Sequence, residues 1–263
     1  MIVMKSMKRT ILTDMRRAFC SIKFPISIGI VIMVLCIATL EGIALNEDVL
    51  YVFSIVMYGM PAMVILIVGT FIYGDSLCLD VEHRYIISSM IRSGTKSYVV
   101  SKIFVIFFAA VMSICLGIVI YASVLHLFMP WTQTVSNQYE FLMQSGSFRF
   151  LLEHNMFILY FFMWGLQYGM LAGVLAVLSA YVSLFITNKM LVLATPFLCY
   201  YFIDFALAIL FQEKYSVMSI YSASNNIMGN DVKSFVLAVG ISCIFLAVIG
   251  KLIEKKIKKE YLS

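Results

Sequence analysis

Six stretches of this chain each carry about twenty mostly apolar residues, and that feature limits what it can become. A helix needs about 20 such residues to cross roughly 30 Å of hydrocarbon, where every unpaired backbone polar group is costly. The stretches are 24–45, 49–73, 103–128, 156–187, 190–211 and 235–250. Across all 263 residues, 62% are hydrophobic and 13% are charged, well outside the range of soluble domains. The expected class is therefore an all-α integral membrane protein, one transmembrane domain over 1–263 with six spans. A cleaved leader is not expected, because the first apolar run is too long for one and follows more than twenty residues.

Positive charge sets the expected orientation, since Lys and Arg flanks stay on the cytoplasmic side. Most of the 19 basic residues fall in four places. These are the segment before the first span (Lys5, Lys8, Arg9, Arg16, Arg17, Lys23), the connection between spans two and three (Arg84, Arg92, Lys96, Lys102), Lys189, and the basic tail 251–263 (Lys251, Lys255, Lys256, Lys258, Lys259). Only Arg149, Lys214 and Lys233 fall on the other side. Both termini are thus expected in the cytoplasm, and the net charge of +5 points to anionic lipid headgroups and not to nucleic acid. The six cysteines form no CxxC pair and none lies in an expected outer loop, so neither a disulfide framework nor a zinc site is expected.

Residues 4–23 place Met4, Met7, Ile11, Met15, Ala18, Phe19 and Ile22 at steps of three and four. That spacing predicts an amphipathic helix lying in the cytoplasmic interface, with Pro25 marking the turn into the first span. Asn46–Asp48 reads as a tight outer turn, and Trp131, Tyr139 and Phe148 as an aromatic belt in the loop after span three. The segment between spans five and six mixes polar and apolar residues, and is expected to dip partly into the bilayer against protein. In the fourth span Gly165, Gly169 and Gly173 recur every four residues, a ridge that lets another helix approach closely, either in this chain or in a second copy.

Motifs for bond chemistry are missing. Gly94–Ser97 reads GTKS, without the earlier glycine and the Gly-Lys order of a phosphate-binding loop. There is no HExxH and no GxSxG, and His83, His126 and His154 are scattered. No catalytic residue, metal ligand or cofactor-binding residue is expected in this chain. Two acids lie within apolar runs. Glu41 is close enough to the outer surface to be solvated, whereas Asp204, with Tyr200 and Tyr201 one turn before it, is a candidate for a substrate path or for a structural acid.

Between spans two and three the chain reads DVEHRYIISSMIRSGTKSYVVSKI. Ile86, Ile87, Met90 and Ile91 predict a short amphipathic helix, and Gly94 a turn leading into span three. Acidic residues, a short helix, Arg, Tyr and Ser-Lys in this order, within six spans and an amphipathic N-terminal helix, resemble the permease subunits of ABC-2 type transporters. The resemblance implies an exporter permease in a bacterial plasma membrane that works as a dimer of permeases, identical or related, with a separately encoded ATPase holding ATP and Mg. The stretch would then be a coupling helix, framed by Asp80, Glu82 and Arg84, docking through Tyr85, Ile86, Ile87, Met90 and Ile91, and returning through Arg92, Tyr98 and Lys102. It also lacks the proline often found after that helix. The cargo implied is a peptide, a drug or a lipid-linked molecule. A stand-alone proton-coupled carrier using Asp204 and a non-transporting scaffold remain alternatives.

Overall fold

The computed structural model describes residues 2–42, 48–83, 85–133, 137–186, 188–211 and 216–261. Helices account for most of them and none is in a strand. Among the described residues, five continuous helices and the bent helical segment Met60–Glu82 are long and apolar enough to cross a membrane, six candidate spans in all. The expected turn at Asn46–Asp48 lies mostly outside the described residues.

Two central helices, α7 (Thr95–His126) and α10 (Phe157–Val182), form the most extensive contact in the bundle. The expected glycine ridge makes that contact. A Cβ on Gly165 would sit 2.9 Å from Cys115 Cα, and one on Gly169 would sit 3.0 Å from the Val111 carbonyl. Gly173 lies against the Phe107 ring, where a Cβ would come to 2.5 Å. The ridge is thus used within the chain, where dispersion between close backbones replaces the hydrophobic drive that lipid removes.

Around this pair, α2 (Lys23–Gly42) packs on α7, and α4 (Met60–Phe71) packs on α10. Helix α11 (Lys189–Phe211) lies against α10 and α4, and α13 (Asp231–Tyr261) against α10 and α7. The expected span boundaries shift in three places. The third and sixth spans lie inside helices of 32 and 31 residues, about 48 and 46 Å long, so both outreach the hydrocarbon. The second span is not one helix. It runs as α3 (Val49–Tyr58), a break at Gly59, α4, a bend, and α5 (Ser76–Glu82). Pro61 has no N–H to continue the ladder to Met57, which is why the helix restarts there.

The N-terminal stretch is helical as α1 (Ile2–Phe19), but the part of its apolar stripe from Ile11 to Phe19 packs on protein. Ala18 is fully buried, and Ile11, Met15 and Phe19 pack with it against Ile72, Val105 and Ala109. The small Ala109 leaves room for α1 to lie along the start of α7, while Leu12 and Ile22 remain exposed.

At the end of the bundle away from the two chain termini, the connections lock into one another. Asp48 caps α3 through Tyr51 N–H at 2.7 Å and also accepts Gln133 N–H at 2.9 Å. Val49 N–H donates to the Pro130 carbonyl. Helices α8 (Asn137–Ser145) and α9 (Arg149–Glu153) are joined to the loop before α13 by Asn226 N–H to Ser145 O at 2.7 Å and Ser147 N–H to Ala223 O at 2.8 Å. The segment between spans five and six contains α12 (Val217–Tyr221), whose Ile220 carbonyl accepts from Gln167 Nε2 at 2.9 Å. Tyr221 is buried, with its hydroxyl 2.8 Å from Ser242 Oγ.

Candidate functional site at the basic end of the bundle

Helix α6 (Tyr85–Ser93) stands between α5 and α7, and Gly94 turns the chain with φ +78° before α7 begins. Only glycine reaches that conformation without strain. The four apolar residues that marked this helix do not share one role. Ile86 and Met90, one turn apart, are buried in a cluster with Leu77, Tyr98, Ile253 and Ile257, which joins α5, α7 and the end of α13. On the other face Tyr85 and Ile87 are half exposed and Ile91 is 80% exposed. Arg92 is exposed beside them, its Nε donating to the Ser88 carbonyl at 3.3 Å. Glu82 is exposed at the end of α5, whereas Asp80 is buried. Arg84 lies outside the described residues.

Beneath α6 sits a charged cluster that ties three helices together. Lys102 on α7 is 2% exposed, with Nζ 2.8 Å from Asp80 Oδ2 and 3.7 Å from Asp14 Oδ1 of α1. The Tyr98 hydroxyl donates to Asp80 Oδ2 at 2.6 Å, and Ser101 Oγ donates to Asp14 Oδ2 at 2.7 Å. Lys102 also donates to the Tyr73 hydroxyl at 3.3 Å and lies over that ring at 5.0 Å. A second pair, Lys23 to Asp75 at 2.7 Å, fastens the start of α2 to the bend before α5. Buried charges persist only when paired and hydrogen-bonded, and these are.

The consequence is mechanical. One face of α6 is anchored by Ile86 and Met90, while Asp80, near the end of α5 leading into it, is held by Lys102. The same lysine holds α1 through Asp14. A force on the free face of α6 is therefore delivered to α1, α5 and α7 together, because packed elements transmit displacement instead of absorbing it.

Sequence reading placed Asp80, Tyr98 and Lys102 near the coupling segment but missed Asp14, Tyr73 and Ser101. A signal was present: Asp14 is the only acid among the cations of the N-terminal helix, and Lys102 opens an apolar run.

The structure keeps the other candidates away from this end. Asp204 on α11 is half-buried, and its Oδ1 accepts the Val217 N–H at 2.8 Å, joining α11 to α12. Tyr200 is buried, while Tyr201 is 40% exposed with its hydroxyl on the Met63 sulfur. An apolar groove of about 510 Å³ lies at the far end, lined by Val119, Phe157, Ile158, Leu159, Phe162 and Trp131 of the expected aromatic belt, and contains none of the candidate docking or path residues. Among the described residues no three His, Cys, Asp or Glu side chains gather as a metal site. No protein-family model, curated protein or solved structure matches this chain.

Proposed function

We propose that this chain is the permease subunit of an ATP-driven exporter of the ABC-2 type, with α6 as the helix on which a separate ATPase docks. One observation carries the reading: α6 is fixed on one face by Ile86, Met90 and the neighbouring Lys102 cluster, and leaves Tyr85, Ile87 and Ile91 free on the other. A helix serving only to connect two spans has no need of an exposed apolar face on so rigid a mount. The surrounding basic surface, with Lys8, Arg9, Arg16, Arg17 and Lys96 exposed, fits a cytoplasmic location. In this reading, closure of the ATPase presses α6, and the shift passes through the buried lysine to α1 and the central helices, rearranging a path shared with a second permease. Such a transition needs rigid elements with two packings, not a flexible linker.

The test is purification of the tagged chain from its native membrane, alone and with Tyr85, Ile87 and Ile91 all changed to alanine. A co-purifying subunit bearing a GxxxxGK[ST] loop, lost in the triple variant while the bundle keeps its elution volume, supports the proposal. Recovery of the chain without any such subunit refutes it.

A stand-alone carrier is favoured by one feature, the break in the second span, since discontinuous helices at mid-membrane are common in such proteins. It would retain transport without an ATPase.

A further inference from the structure

We infer that the break in the second span faces an aqueous path within the membrane and not lipid. Its depth follows from the helix before it. The ten residues of α3 span about 15 Å, and α3 starts where Asp48, Pro130 and Gln133 lock the far-end loops together. That places Gly59 near the middle of roughly 30 Å of hydrocarbon.

Two observations then argue against lipid. Pro61 offers no N–H to the Met57 carbonyl, so the helical ladder is interrupted at this depth. Non-helical backbone is tolerated there only when buried in protein or lining water. On its inner side the break is served by protein, since the Tyr168 hydroxyl, itself fully buried, donates to the Ala62 carbonyl at 2.7 Å. On its outer side none of the described residues covers it: Tyr58 is 93% exposed and Met60 is 78% exposed. A phenol at mid-bilayer with its whole side chain outside the fold has no water and no protein partner if lipid surrounds it, which is costly for a hydroxyl. The same surface continues through Val64 and Ile55, both exposed, and Tyr201 of α11 reaches the Met63 sulfur beside it. Helices α3, α4 and α11 would thus form one wall of the path, with the Tyr58 hydroxyl as its polar group. The inference concerns water access alone and stands whether or not an ATPase binds α6.

The experiment places single cysteines at Tyr58 and Met60, with Met33 as a lipid-facing reference. Met33 lies ten residues into α2, about 15 Å from the other side of the membrane, and is 55% exposed. Open membrane fragments are treated with a charged, membrane-impermeant methanethiosulfonate, and the modified peptide is identified by mass spectrometry. The native cysteines stay in place, exposed Cys20 as the accessible standard and buried Cys115 as the protected one. A thiol reacts as its thiolate, which forms only where water reaches, so Tyr58→Cys should be modified within about tenfold of the Cys20 rate and Met33→Cys at least about a hundredfold more slowly. Modification of Tyr58→Cys as slow as that of Met33→Cys would show that the break faces lipid and overturn the inference. Protection of Tyr58→Cys together with an oxidant-induced disulfide between two chains would overturn it too, because a second copy would then seal the break. Both side chains lie outside the core, and Met60→Cys decides by the same criteria if Tyr58→Cys is not recovered.

Discussion

Replacing Lys102 by methionine is the most demanding test of the cluster under α6. Methionine nearly matches the length of the lysine stem but removes the one cation that the described residues place in the group with Asp14 and Asp80, leaving two buried carboxylates with no described counter-charge. Breaking a buried pair by deleting one partner costs about 3–5 kcal/mol. At about 2–4 °C per kcal/mol for a chain of this size, the melting temperature should fall by roughly 6–20 °C. Asp14→Asn should be much milder. The described group carries two carboxylates against one lysine, so this change removes surplus negative charge, and Ser101 Oγ can still donate to the amide oxygen. Its cost should stay near 1 kcal/mol. Adding Asp14→Asn and Asp80→Asn to Lys102→Met should recover more than half of the loss, because no unpaired charge then remains. Fluorescence-detected size exclusion of detergent extracts heated in steps reads all of these variants. The reasoning fails if Lys102→Met melts within about 2 °C of the unaltered protein, or if the neutral triple variant is worse than the single one.

Gly169→Leu should prevent α7 and α10 from meeting at Val111 and abolish recovery of monodisperse protein, since overpacking costs about 1–3 kcal/mol even where some relief is possible. The two faces of α6 should respond differently. Ile86→Ala should lower stability by about 2–4 kcal/mol, whereas Ile91→Ala should leave the melting temperature unchanged and affect only partner binding. Asp204→Ala should weaken the joint between α11 and α12 by about 1 kcal/mol, and should abolish transport if Asp204 lines the path. Asp204→Asn separates the two roles, because an amide oxygen can still accept the Val217 N–H: retained transport in that variant marks a structural acid, and lost transport with unchanged melting marks one needed for its charge.

What could be read from the chain without its fold follows from local physics. Six apolar runs specify six helical membrane spans because each segment must satisfy its own backbone in hydrocarbon, although the second is broken at Gly59. Gly94 and the apolar pairs Ile86/Met90 and Ile87/Ile91 specify a short helix and a turn by their spacing alone. The glycines at 165, 169 and 173 announce a close helix contact, yet their partner, α7, appears only in the folded bundle. The same holds for the cluster at the basic end. Asp14 and Lys102 are 88 positions apart, and no periodicity connects them. Their pairing required α1 to lie along α7, which depends on the small side chain of Ala109 and the fit of Ala18 beside it. The division of α6 into an anchored and a free face, and the exposure of Tyr58 at the break, are likewise decided by which neighbours arrive. Sequence specifies each element through interactions among near residues, whereas the charge network and the exposed surfaces arise from contacts between distant ones.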